Sequence, residues 1–166
     1  QSPITGYDYV IGSVHNVIKD GVQIVVDDNA QKLKDNIDKY YDGDFDAFAE
    51  DYFKLVSDVV RKTSADIIGH FDLLLKNCEI LGYKPTKRFL DCAEDAVKEL
   101  CKYSAPFEIN TGAMARGYRT SPYPLPEILA MIKKYGGKIV FSSDCHDRKF
   151  LEYGYDMAEK MALDAG

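Results

Sequence analysis

Three times in 166 residues a short apolar run gives out onto a histidine: Val10-Ile11-Gly12-Ser13-Val14-His15, Ile67-Ile68-Gly69-His70, and Ile139-Val140-Phe141-Ser142-Ser143-Asp144-Cys145-His146. Such runs, β-branched and bounded by Gly or polar residues, are too short for typical helices and read as buried strands. Pro106-Phe107-Glu108-Ile109-Asn110 is a fourth of the same character, and the first is expected to reach back to Tyr7. Between the runs the apolar residues recur at helical spacing. The chain therefore alternates strand, helices, strand, helix, strand, helix, strand, helix, an order that predicts a parallel sheet or barrel of crossover units.

The clearest helix is expected from Phe45 to about Lys62, with Phe45, Phe48, Ala49, Tyr52, Val56, Val59 and Val60 on one face and Asp44 as its cap. A second runs from about Lys87 to Tyr103, on a stripe of Phe89, Ala93, Ala96, Val97 and Leu100. Further helices are expected over Ala30–Tyr41, Leu125–Tyr135 and Leu151–Leu163, with a helical turn from Asp72 to Cys78. Asn16–Asn29 is mixed, Val22–Val26 forming a short excursion or loop and Asp27-Asp28 a solvated turn.

The length suits one domain with a core of its own, residues 1–166, and nothing in the chain divides it. A net charge of −6, with Lys and Arg never more than two in a row, argues against a nucleic-acid surface. No segment approaches about 18 uninterrupted apolar residues, and Gln1-Ser2-Pro3 lacks the regions of a signal peptide. A soluble, cytoplasmic protein with no membrane partner is the expectation. Cys78, Cys92, Cys101 and Cys145 show no CxxC pairing and read as reduced thiols. A start at Gln1 rather than Met suggests a processed or truncated piece.

In a parallel arrangement the C-terminal strand ends share one face, so His15, His70, His146 and Asp144 could converge there. Imidazole with carboxylate is a natural donor set for a divalent metal, Zn, Fe and Mn among them, and such an ion lowers the pKa of a water to about 7. The bland alternative is that each His is a satisfied core or surface residue. The loop from Thr111 to Tyr123 leaves a strand on the same face, and its Arg116, Arg119, Gly112 and Gly117 suit a phosphate oxyanion. A solvated basic loop would have the same composition. Glu108 and Asn110 share one strand face and either could enter the site, structural hydrogen bonding being the plainer role; Asp72 could orient an imidazole.

Taken in order, Ile11-Gly12-Ser13-Val14-His15, Ile67-Ile68-Gly69-His70-Phe71-Asp72, Glu108-Ile109-Asn110-Thr111 and Ser142-Ser143-Asp144-Cys145-His146 resemble the histidinol-phosphatase branch of the PHP (polymerase and histidinol phosphatase) superfamily, from about Tyr7 to about Tyr155. The resemblance implies a distorted, TIM-like barrel of seven βα units, with up to three divalent ions (Zn, Mn or Fe) at its C-terminal face. It makes His15, His70, Asp144 and His146 metal ligands, Arg116 the holder of substrate phosphate and Arg119 a second candidate. The implied reaction is hydrolysis of a small phosphomonoester, L-histidinol phosphate, in histidine biosynthesis, with no general acid assigned. The family's opening His-x-His strand, a further His and a Glu have no counterpart here. The chain thus looks like the last four βα units of seven, a partial PHP domain. Two alternatives stay open: a PHP phosphoesterase for another small substrate, and a non-catalytic remnant that self-associates through an open barrel edge as a homo-oligomer.

Overall fold

Four parallel strands carry the architecture in the computed structural model, which describes residues 6–166; Gln1-Ser2-Pro3 lie outside the described residues. They are β1 (Ile11–Gly12), β4 (Ile67–Ile68), β5 (Phe107–Asn110) and β6 (Ile139–Ser142), lying in one sheet in the order β1-β4-β5-β6. The register aligns Ile11 with Ile67, Ile68 with Phe107, and Glu108 with Val140. All four therefore end on the same side, and the segments carrying His15, His70, Thr111 and Asp144 leave from that side. The fold is mixed α/β with a parallel sheet, as expected. Its outer strands, β1 and β6, each pair with one neighbour among the described residues.

Strand β1 is far shorter than the expected run from Tyr7 to His15, because only Ile11 and Gly12 find ladder partners. Gly12 is needed there: a Cβ would lie 2.6 Å from the Ala65 Cβ, so only a bare backbone lets β1 approach the turn into β4. Beyond His15 the chain forms an antiparallel hairpin, β2 (Asn16–Lys19) with β3 (Val22–Val25). Asp20-Gly21 supplies its two-residue turn, both residues having positive φ, as the hairpin's right-handed twist demands. The Val22–Val26 excursion is thus a paired strand. Buried Val17 and Ile24 tie the hairpin into the main core.

Helix α1 (Ala30–Tyr40) starts where the Asn29 side chain accepts from the Lys32 N–H. Helix α2 (Phe45–Ser57) starts likewise, Asp44 accepting from the Ala47 N–H. The expected single helix to Lys62 is broken at Asp58, and a short α3 (Val59–Thr63) follows. The Asp58 carboxylate is drawn to Arg61 and Lys62 and makes no side-chain cap. After β4 come a 3₁₀ turn (Leu73–Leu75) and α4 (Cys78–Leu81), then α5 (Lys87–Leu100), capped by Thr86. Helix α2 packs on α5 and α5 on α7 (Pro126–Lys134). Phe53 sits between Phe71 and Phe89, ring centroids 5.3 and 5.2 Å away, and Phe71 reaches Phe107 of β5 at 5.7 Å. This aromatic layer fixes the sheet against the helices, since each large ring removes much apolar surface from water.

The remaining elements are α6 (Gly112–Ala115), a 3₁₀ turn (Arg148–Phe150) and α8 (Tyr155–Asp164), which begins four residues later than expected. All four cysteines are free thiols; Cys78 is buried in the core. Among the described residues no helix is long and apolar enough to cross a membrane.

Candidate active site

A cleft of about 490 Å³ opens at the C-terminal ends of the strands, and His15, His70, Arg116, Asp144 and His146 all line it. Four elements far apart in sequence deliver them: the segments after β1, β4 and β6, and the end of α6. Their convergence follows from the parallel topology, which puts every strand-to-helix connection at one end.

The two inner imidazoles meet edge to face, with ring centroids 5.0 Å apart. They differ electrostatically. His15 Nδ1 lies 3.3 Å from Asp27 Oδ2, and that hydrogen bond raises its pKa above the ordinary value while lowering that of Asp27. Burial instead lowers the pKa of His70 and so favours its neutral ring, the form that offers a lone pair. The His70 N–H donates to Glu108 Oε2 at 2.6 Å, and that oxygen also accepts from Asn110 Nδ2 at 2.9 Å. Asn110 Oδ1 in turn accepts from the Gly112 N–H. Glu108 and Asn110 are therefore braces, and Glu108 also reaches the cleft wall.

On the opposite wall Arg116 grips the segment after β6. Its Nη2 donates to Asp144 Oδ2 at 3.0 Å, and its Nη1 to the Asp144 carbonyl at 2.8 Å while lying 2.9 Å from His146 Nδ1. Asp144 takes a left-handed backbone, φ +43°, a conformation Asp tolerates better than most residues. The grip needs Gly112, where a Cβ would stand 2.8 Å from the Ser143 carbonyl oxygen and 3.0 Å from the Asp144 Cβ.

Arg119 does not join this wall. It is buried outside the cleft lining, stacked over the Tyr123 ring at 4.5 Å, and its side chain donates to Ser121. Asp72 does not orient His70 either: it is fully buried, accepts from the Leu125 N–H and shares its surroundings with Arg119. Two charged residues that the sequence reading did not place in the site line the cleft. Asp27, expected in a solvated turn, pairs with His15, and Lys76 follows the 3₁₀ turn after His70. An Asp beside a strand end was the only signal for the first; for the second the helical turn alone gave a direction.

The donor types suit a divalent cation, and one observation favours such a guest: His70 Nδ1 is buried with no hydrogen-bond partner. Among the described residues, however, no three His, Cys, Asp or Glu side chains are drawn close enough together to hold an ion. The Arg116 guanidinium supplies the positive charge at Asp144 instead.

No protein-family model matches the chain. It is 26% identical over 156 residues to a protein of Schizosaccharomyces pombe named probable histidinol-phosphatase, a match covering 92% of this chain and 49% of the relative. The chain thus spans about half the length of the curated relative it matches. Its fold is similar to the crystal structure of a Listeria monocytogenes protein provisionally assigned as a histidinol phosphatase. That match has a TM-score of 0.79 and 19% identity over 90% of this chain and 57% of the other. The sequence match agrees with the resemblance to histidinol phosphatases that the four motifs carry, and the structural match shows a shared fold.

Proposed function

We propose that this chain carries one wall of the active site of a phosphomonoester hydrolase whose substrate is L-histidinol phosphate. The observation behind the reading is the convergence of His15, His70, Asp144, His146 and Arg116 on one cleft at the strand ends. The relative's name supplies the substrate.

In this reading His15, His70, Asp144 and His146 are the residues that would hold a divalent metal, Zn, Mn or Fe, once drawn together, and the ion would supply Lewis acidity and an activated water. Asp27 orients His15 through Nδ1, and burial favours the neutral form of His70. Arg116 moves from Asp144 toward the incoming phosphate, where its planar fork offsets charge building on the equatorial oxygens. Arg119, buried against Tyr123, does not line the cleft and stays the weaker candidate for phosphate.

The test is phosphate release from histidinol phosphate by the purified chain with added Mn or Zn. Release that needs metal and is lost in Arg116→Met supports the reading. Metal-dependent activity on another phosphomonoester, with none on this one, removes the substrate assignment. A second reading, a non-catalytic remnant that self-associates, is favoured by the outer strands, which among the described residues pair on one side only, with Ile11 and Phe141 47% and 37% exposed. A monomer by light scattering that binds metal stoichiometrically ends that reading.

A further inference from the structure

Two cations line the cleft, Arg116 and Lys76, and their charges are committed differently. Arg116 is paired with the Asp144 carboxylate at 3.0 Å. Lys76 Nζ donates to the Asp27 backbone carbonyl at 2.7 Å and lies over the Tyr118 ring at 4.4 Å. Both partners are uncharged, and among the described residues no carboxylate lies within 4.0 Å of this ammonium. The nearby Asp27 carboxylate is engaged by His15. We propose that Lys76 is a phosphate-binding residue, its ammonium facing the anion alongside Arg116 at the cleft; this rests on the phosphomonoesterase reading above.

The alternative role for Lys76 is that of a post holding the Asp27-Asp28 loop. That work is already done by its neighbour: Asn77, 2% exposed, donates through Nδ2 to the Asp28 carbonyl at 2.8 Å. A second tie from a long charged side chain adds little order to a loop so held, whereas an ammonium beside a cleft adds charge where a phosphomonoester dianion needs it. Carbonyl and ring fix the ammonium without neutralising it, so an arriving anion displaces no carboxylate. Tyr118 also lines the cleft and follows Arg116 by two residues, so the two cations share one rim.

Inorganic phosphate is the probe, its binding to the full chain measured by titration calorimetry and as competitive inhibition of monoester hydrolysis. Lys76→Met should weaken phosphate binding about tenfold or more, the usual scale for a hydrogen bond to a charged group, with Lys76→Arg recovering most of it. Lys84→Met, on an exposed site away from the cleft, should match wild type. Phosphate binding unchanged in Lys76→Met overturns the proposal. So does equal loss in Lys76→Met and Lys76→Arg accompanied by a lowered melting temperature in both, the mark of a structural post. If Arg116→Met abolishes phosphate binding while Lys76→Met leaves it intact, the phosphatase reading stands and the Lys76 assignment falls. Absence of phosphate binding by wild type removes both.

Discussion

His15 and His70 meet edge to face with their ring planes at 87°, although 55 positions separate them and each hangs from a different strand. Two imidazoles this close cannot both be protonated without mutual repulsion, and their surroundings resolve the matter by pushing them apart. Asp27 favours the imidazolium at His15, while burial favours the neutral ring at His70.

Proton NMR of the metal-free chain should show His15 titrating above 6.5 and His70 below it. The stability consequences have opposite signs. The His15 contribution is complete below its unfolded value of about 6.5 and is lost as pH rises through its folded value. The His70 contribution is present above about 6.5 and is lost as pH falls toward its folded value. Asp27→Asn should bring the His15 midpoint down and leave His70 below 6.5; a His15 midpoint unmoved by that change would contradict the pairing.

Arg116→Met should lower kcat/KM for the phosphomonoester by about 10²-fold or more, as expected for losing a charged donor to developing phosphoryl charge. Arg116→Lys should recover only part, because an ammonium lacks the fork that spans Asp144 and His146 here. Steady-state kinetics decides it.

Gly112→Ala should destabilise the chain by ~1–3 kcal/mol, since the added methyl meets the Ser143 carbonyl oxygen at 2.8 Å and is backbone-limited. The strain falls on the contact between α6 and the Asp144 segment. Urea unfolding measures the loss, and Gly82→Ala, where a Cβ meets nothing within 4 Å but φ is +68°, separates crowding from backbone strain.

Phe53→Ala should cost ~3–5 kcal/mol by the same measurement. Phe53 is 2% exposed and bridges Phe71, beside His70, to Phe89 of α5. A loss below about 1 kcal/mol would mean that the aromatic layer closes over the gap.

Four strands, their order along the chain and the helical faces packed on them were legible because each rests on local periodicity. Phe45, Phe48, Ala49, Tyr52 and Val56 are all buried as their spacing demands. The caps Asp44, Asn29 and Thr86 are local too. The hairpin at Asp20-Gly21 was legible in principle, since Asp-Gly between apolar runs is a turn signal. The break at Asp58 was less so: the apolar stripe continues through it, and what Asp58 prefers depends on Arg61 and Lys62.

Sequence by itself determined which residues end the strands, and hence that His15, His70, Asp144 and His146 share one face of a parallel sheet. Only the tertiary structure decided what each meets there. Arg116 and Arg119 are three residues apart in one loop, yet one reaches into the cleft and the other is buried on Tyr123. Asp27 and Asp72 divide likewise, one against His15 and one sealed beneath Leu125. Strand ends follow from period-two patterns a few residues long, whereas the partner of a charged side chain is set by groups up to 56 positions away, as between the Val10 N–H and Asp66. No local pattern encodes such a meeting; it is decided when desolvation and pairing are settled together as the helices close on the sheet.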